Sequence, residues 1–76
     1  MPDDSFHWLD VDLIGEELAR VHPTVDPLRT GFVQLKALVT SLQGFREEPG
    51  HPVNERILEE IQRYWIEARE ASRGRD

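Results

Sequence analysis

Apolar residues along the chain recur at spacings of three and four in three stretches, which is the pattern of helices that bury one face. The first predicted helix runs from about Asp10 to Val21. Asp10 is placed to cap its free backbone N–H groups, and Leu9 is placed to pack against Ile14 across the first turn. The repeating apolar positions of this helix are Val11, Ile14, Leu18 and Val21, with Leu13 beside them.

Prolines and glycines separate the first two helices. His22 precedes Pro23, and the residue before a proline is pushed out of the α region, so the first helix should end there. In the connector from Thr24 to Gly31, Asp26-Pro27 predicts a cap followed by a single helical turn, with Leu28 turned inward. The second helix is predicted from Phe32 or Val33 to Leu42, with Gly44 at its C-terminal end. Its apolar positions are Phe32, Leu35, Leu38, Val39 and Leu42.

The last helix has the strongest periodicity. It follows a loop predicted from Phe45 to Pro52, where closely spaced prolines and a glycine make regular structure improbable. Asn54 should cap the helix, and Val53 should pack against Leu58 across its first turn. On the outer face, Arg63 is spaced for i,i+4 pairs with Glu59 and Glu67. The apolar positions are Ile57, Leu58, Ile61, Tyr64, Trp65 and Ala68.

These elements predict an all-α protein, a small bundle of three main helices in one domain spanning residues 1–76. Residues 1–7 and 71–76 read as frayed, polar tails. Short strand segments are expected near Gly31 to Phe32 and near Phe45. We expect Trp8 and Trp65 to lie in the core, where their indole N–H groups need hydrogen-bond partners.

The composition of the chain excludes several classes of function. The 76 residues contain 15 acidic and nine basic side chains, a formal net charge of −6, which repels nucleic acid and attracts basic protein surfaces and hard cations. There is no cysteine, so the chain has no thiol for a disulfide, a zinc ion, a cluster or a persulfide. No apolar run is long enough for a membrane span and no secretory signal is visible, so we expect the protein in the cytoplasm. Because the chain is highly charged, we expect a monomer.

Catalytic chemistry finds little support. No serine has a neighbouring histidine or nucleophile-elbow glycines, and there is no glycine-rich phosphate loop, so we expect no catalytic residue and no tightly bound cofactor. The histidines lack the spacing of paired metal ligands on a helix. They are His7, His22 and His51, and a surface or capping role is expected for each.

One combination of residues resembles a known family, the IscX family. The resemblance extends from Trp8 to about Glu70. It is carried, in chain order, by Trp8, Ile14-Gly15-Glu16, Pro23, Asp26-Pro27, Phe32, Leu42, Phe45, Glu47-Glu48-Pro49, Asn54-Glu55, Ile57-Leu58-Glu59, Ile61 and Trp65.

The resemblance implies a small helical fold related to winged helices. It also implies direct binding to the cysteine desulfurase that supplies sulfur for iron-sulfur cluster assembly, alone or together with the cluster scaffold. Members of the family are described as binding ferrous iron weakly through surface carboxylates, with a role that overlaps that of frataxin. Such a member acts as an adaptor or as an iron donor, and the sequence does not distinguish activation of the desulfurase from inhibition.

Acidic residues at matching positions are the candidate site. The partner-binding positions implied by the resemblance are Glu16, Asp26, Glu47, Glu48, Glu55 and Glu59. For weak Fe²⁺ binding, Asp12 and Glu16 are spaced i,i+4, Glu47 and Glu48 are adjacent, and Asp26 is a further matching acid. The alternative is that these carboxylates have no binding role and only keep the protein surface hydrated. The sequence departs from the family pattern at Arg20, Thr24, Gln43, Gly44 and Arg46, where acids are usual or the loop is richly acidic.

Nucleic-acid binding is the alternative function, because small winged-helix-like domains often place one helix in the major groove. The second predicted helix carries only Lys36, with Arg29 and Arg46 nearby. So few cations on a chain of net charge −6 give little counterion release, and we expect a protein partner instead.

Overall fold

The computed structural model describes residues 5–47 and 53–73, and within them the protein is all-α. Three α-helices follow one another: α1 (Val11–Val21), α2 (Phe32–Thr40) and α3 (Glu55–Arg73). A single 3₁₀ turn, Pro27–Arg29, lies between α1 and α2. The predicted helices are therefore confirmed, although α2 ends two residues early, at Thr40, and Leu42 is buried beyond its end.

The core forms where the apolar faces of the three helices meet. Trp8 and Trp65 are fully buried in it, as predicted, together with residues from each helix. The buried apolar residues are Phe6, Trp8, Ile14, Leu18, Leu35, Val39, Leu42, Leu58, Ile61 and Trp65. These are largely the positions that the three-and-four spacing predicted, because one face of each helix supplies them.

Helices α1 and α3 approach each other closely at Gly15. A Cβ atom placed on Gly15 would lie 2.6 Å from Cβ of Tyr64 and 2.7 Å from the backbone N of Trp65. These distances are far inside van der Waals contact, and one of the opposing atoms belongs to the backbone of α3, which cannot swing aside. Gly15 therefore sets how deeply α1 sits on α3.

The N-terminal segment is part of the core, which corrects the prediction of a frayed tail as far as Phe6 is concerned. Phe6 is 4% exposed and forms an isolated parallel β-bridge with Phe45. Its backbone N–H donates to the carbonyl of Gly44 at 3.0 Å, and its carbonyl accepts from the N–H of Arg46 at 2.7 Å. A strand segment near Phe45 was expected, whereas the one expected near Phe32 is wrong, because α2 begins there.

The start of α1 differs in detail from the prediction. Asp10 occupies the N-cap position, but its side chain accepts from the backbone N–H of His7, at 3.1 Å, rather than from the helix. His7 in turn lies at this cap, with its Nε2 3.7 Å from the Asp10 carboxylate. Leu9 is more than half exposed, so most of its side chain faces solvent rather than Ile14.

The connector is tied to α3 by polar contacts. Asp26 caps the 3₁₀ turn, accepting from the N–H of Leu28 at 2.9 Å, as predicted. Leu28 itself is 76% exposed, so the prediction that it turns inward is wrong. Pro27 is buried in its place, and its carbonyl accepts from the Gln62 side chain at 2.7 Å. The local chain pattern cannot tell which of the two adjacent apolar residues meets α3.

The segment between α2 and α3 begins and ends with the residues predicted to terminate α2 and to cap α3. Gly44 has a φ of 94°, a left-handed conformation that suits glycine after a helix. Asn54 caps α3 by accepting from the N–H of Ile57 at 2.9 Å. Leu58 is part of the buried core, and Val53 packs against that core. Residues 48–52, which include Glu48, Pro49 and His51, lie outside the described part of the chain.

Helix α3 is longer than its apolar pattern indicated. It continues to Arg73, three residues into the segment predicted as a frayed end at 71–76. On its outer face, Arg63 pairs with Glu60 at 2.8 Å, an i,i+3 contact, rather than with Glu59. None of the helices described here combines the length and apolar character that crossing a bilayer requires.

Candidate interaction surface

Glu47, a predicted partner-binding residue, is held by the core. The indole N–H of Trp8 donates to Oε1 of Glu47 at 3.0 Å. Phe45 packs edge-on against Trp8, with ring centroids 4.8 Å apart. A buried indole N–H without an acceptor would carry a desolvation cost, so at least one oxygen of Glu47 has a structural role. The partner that the sequence required for Trp8 is thereby identified. The same prediction is wrong for Trp65, whose buried indole N–H has no hydrogen-bond partner among the described residues.

Asp26 is also engaged within the fold. Besides capping Leu28, its carboxylate lies 3.8 Å from a guanidinium nitrogen of Arg69 and 3.9 Å from one of Arg29. Its backbone carbonyl accepts from the hydroxyl of Thr30 at 2.9 Å. These contacts join the connector to α3 and compensate the charge of Asp26. We therefore assign Asp26 to holding the connector.

Four of the predicted site carboxylates are exposed, and within residues 5–47 and 53–73 they have no hydrogen-bond or ion-pair partner. Asp12 and Glu16 are one turn apart on the solvent face of α1, and Glu55 and Glu59 are one turn apart on that of α3. We call these four the free carboxylates. Three of them are predicted partner-binding residues, and Asp12 is a predicted iron ligand. The sixth partner-binding prediction, Glu48, lies outside the described residues.

The free carboxylates do not form a closed metal site. In the part of the chain that the structure describes, no group of three or more histidine, aspartate and glutamate side chains is arranged to hold an ion. A pair of carboxylates on successive turns, as at Asp12 and Glu16, can share a hard or borderline cation only loosely. A pair of this kind is the type of donor set that the predicted weak Fe²⁺ binding would use.

An ion pair that sequence reasoning missed lies on the same helix as two of the free carboxylates. Arg20 donates to both oxygens of Glu17, at 2.9 and 2.8 Å. The hydrogen bonds from Arg20 lower the pKa of the Glu17 carboxyl from its usual 4.5, against a smaller opposing effect of burial. The i,i+3 spacing of the two residues was the available signal, but it predicts a contact without its two-pronged geometry.

A second missed feature is an open cleft of about 460 Å³ between the N-terminal segment, α1 and the chain after α2. We call it the Arg46 cleft. Its walls include Phe6, Glu17, Arg20, Gln43, Gly44 and Arg46. Four of the five positions where the sequence departs from the family pattern line this one cleft, with Thr24 the exception. The described side chains that line the cleft carry more positive than negative charge, on a chain that is acidic overall.

The described part of the molecule is thus a small, acidic, all-α protein with a carboxylate-bearing surface. The model of a protein family described as iron-sulphur cluster assembly matches residues 6–70. The chain is also 39% identical over 66 residues to PA3808 of Pseudomonas aeruginosa, a protein named only as uncharacterized, which covers 87% of this chain and 98% of that relative.

The chain belongs to this iron-sulfur cluster assembly family, the IscX family. The family identified from the sequence is therefore confirmed. It is a family of accessory proteins of cluster assembly.

Proposed function

We propose that this protein binds a cysteine desulfurase through its free carboxylates and so adjusts sulfur delivery to the cluster scaffold. The observation that carries the proposal is that Asp12, Glu16, Glu55 and Glu59 are exposed and have no partner of their own in the described residues. A carboxylate without an internal partner gives up only water when it meets a cation on another protein.

Charge supports an association of this kind. With a net charge of −6, the protein is attracted over several ångströms to a basic surface before any contact forms. Rim charges of this type act mainly on the rate of association and on its salt dependence. The interaction should therefore be fast and weakened by salt.

The absence of cysteine assigns the sulfur chemistry to the partner. None of the 76 residues offers a thiolate to receive a persulfide or to ligate a cluster. A protein of cluster assembly with this composition acts through binding, as an adaptor without catalytic activity. We infer a cytoplasmic monomer that joins the desulfurase, alone or with its scaffold.

Ferrous iron enters the proposal as cargo. The pair Asp12 and Glu16 is spaced to share a cation, and Glu47 has one oxygen beyond the one that Trp8 engages. Weak binding there would make the effect on the desulfurase depend on iron. Titration with Fe²⁺ under anaerobic conditions, followed by NMR line broadening, tests this: saturable broadening centred on Asp12 and Glu16 is expected, and broadening spread evenly over all acids contradicts it.

Charge reversal on the two helices tests the desulfurase interaction. In calorimetric titrations with the cognate enzyme, Glu16→Lys and Glu59→Lys should each weaken binding by about tenfold, the effect of losing one charged contact and adding a repulsion. Glu67→Lys is the matched control, because Glu67 is also an exposed glutamate of α3 but is not one of the partner-binding positions implied by the family resemblance. Equal losses from all three variants would mean that net charge alone matters.

The nucleic-acid alternative gains no specific support. Of the exposed positions of α2, only Lys36 carries a positive charge. The relation to winged helices, which suggested this alternative, stays a prediction. A gel-shift experiment with duplex DNA should show no complex at physiological salt.

A further inference from the structure

We propose that the Arg46 cleft binds an acidic, extended peptide segment of a partner protein, with a carboxylate of that segment held by Arg46. The proposal does not depend on the desulfurase interaction, because the cleft contains none of the free carboxylates.

The first argument is local charge. Among the described residues that line the cleft, two guanidinium groups, those of Arg20 and Arg46, stand against one carboxylate, that of Glu17. On a chain of net charge −6, such a positive site is unusual, and a negatively charged ligand would account for it. A cleft of one sign concentrates field lines and raises the local concentration of the opposite charge.

The second argument is that the two arginines differ in availability. Arg20 is already engaged, since it donates to both oxygens of Glu17. The backbone N–H of Arg46 is fixed on the carbonyl of Phe6 at 2.7 Å, but within residues 5–47 and 53–73 its guanidinium has no ion-pair partner. Arg46 is therefore a cation on an anchored backbone, exposed at the cleft and ready to bind a carboxylate through two parallel hydrogen bonds.

The third argument concerns the size and chemistry of the ligand. A single small anion would leave most of the cleft's volume of about 460 Å³ empty, whereas an extended segment can lie along its open surface. Gln43 offers both an amide donor and a carbonyl acceptor, which suits a peptide group. Glu17 can accept from a peptide N–H, a donor that an extended segment has and phosphate lacks. Gly44 leaves the wall without a side chain, so a chain can approach.

The test is an NMR titration of the ¹⁵N-labelled full chain at low salt. The probes are a short peptide of alternating aspartate and glycine with both ends blocked, its counterpart with asparagine for aspartate, and inorganic phosphate. We expect saturable shifts of the Phe6, Gln43, Gly44 and Arg46 amides with the aspartate peptide alone. Arg46→Glu should weaken its binding by about tenfold or more, as expected for loss of a bidentate charged contact.

Two further variants make the result decisive. Lys36→Glu applies the same charge change on α2, away from the cleft walls, and should leave the affinity unchanged within about twofold. Arg46→Gln removes the positive charge without reversing it. Its affinity for the aspartate peptide should lie between that of the wild type and that of Arg46→Glu. The amide spectrum of each variant reports whether the fold is retained, which we expect because the Phe6 contact uses only the backbone of Arg46.

Three outcomes would overturn the proposal. The first is the absence of saturable shifts around the cleft. The second is an equal loss of affinity in Lys36→Glu, which would show attraction to any surface cation. The third is the same set of shifts and the same affinity with phosphate, which would make the cleft a site for small anions.

Discussion

The indole N–H of Trp8 donates to the carboxylate of Glu47 at 3.0 Å, joining two residues that lie 39 positions apart in the sequence. This hydrogen bond gives a buried aromatic residue its polar partner and fixes the chain after α2 to the segment before α1. It also gives Glu47 a role inside the fold that a reading of surface charge does not anticipate.

Removing the acceptor should destabilise the protein. Glu47→Ala leaves the Trp8 indole N–H without its partner, which costs about 1 to 3 kcal/mol in the free energy of unfolding. Glu47→Gln keeps a carbonyl acceptor at the same place and should lose less than half as much. Denaturant unfolding followed by tryptophan fluorescence measures both. Equal losses in the two variants would show that the charge of Glu47 matters rather than its hydrogen bond.

The close contact between α1 and α3 leads to a specific prediction for a substitution at Gly15. Gly15→Ala forces the helices apart, because the added Cβ would lie 2.7 Å from the backbone N of Trp65. Overpacking of this kind costs about 1 to 3 kcal/mol, so the thermal midpoint should fall by several degrees.

Gly31→Ala is the matched control for that change. A Cβ on Gly31 meets nothing within 4 Å, and its φ of −72° is open to alanine. The variant should stay within about 1 kcal/mol of the wild type, since the loss of a favoured capping residue is partly offset by a less flexible unfolded chain. Destabilisation of both variants by the same amount would contradict the close approach at Gly15.

Acid should weaken the fold partly through Glu17. Because Arg20 lowers the pKa of Glu17 below 4.5 in the folded state, this pair contributes stability that is present above pH 4.5. The contribution is lost as the pH falls through the lowered folded-state pKa. Since Arg20 is largely exposed, the effect is a small one after screening by solvent.

Comparing unfolding curves of wild type and Glu17→Gln across this pH range tests the pair. The wild type should be the more stable at neutral pH, and the difference should shrink as the pH falls below 4.5. Glu59→Gln, which removes a glutamate with no arginine partner among the described residues, is the control. A difference for Glu17→Gln that does not depend on pH would exclude the ion pair as its cause.

The sequence predicts those features of the fold that depend on neighbouring residues. Helix periodicity, the Asn54 cap and the positive φ of Gly44 are local, and all three are found. Contacts between distant segments are not encoded in this way. Phe6 looks like part of a polar tail until its bridge to Phe45 is seen. Likewise, only the position of α3 determines that Pro27 rather than Leu28 is buried.

For the candidate site, the structure shows which predicted residues are exposed and which are engaged within the fold, and their binding role stays a prediction. Choosing acidic positions by resemblance finds the exposed Glu16, Glu55 and Glu59 correctly as surface groups. It cannot separate them from Asp26, whose charge is compensated by Arg29 and Arg69. Nor can it show that Arg20 and Arg46, far apart in sequence, line one cleft, because that depends on how the N-terminal segment meets the chain after α2.

The proposal that acidic side chains dock this protein onto a cysteine desulfurase is tested most directly by the salt dependence of their association. Affinity for the purified enzyme, measured from about 0.01 to 0.15 M ionic strength, should fall steadily as the screening length shortens from about 30 to 8 Å. The loss should lie mainly in the association rate, and it should be smaller when Glu16 and Glu59 are both replaced by lysine. No measurable complex at the lowest ionic strength, or an affinity that salt does not change, would contradict the account.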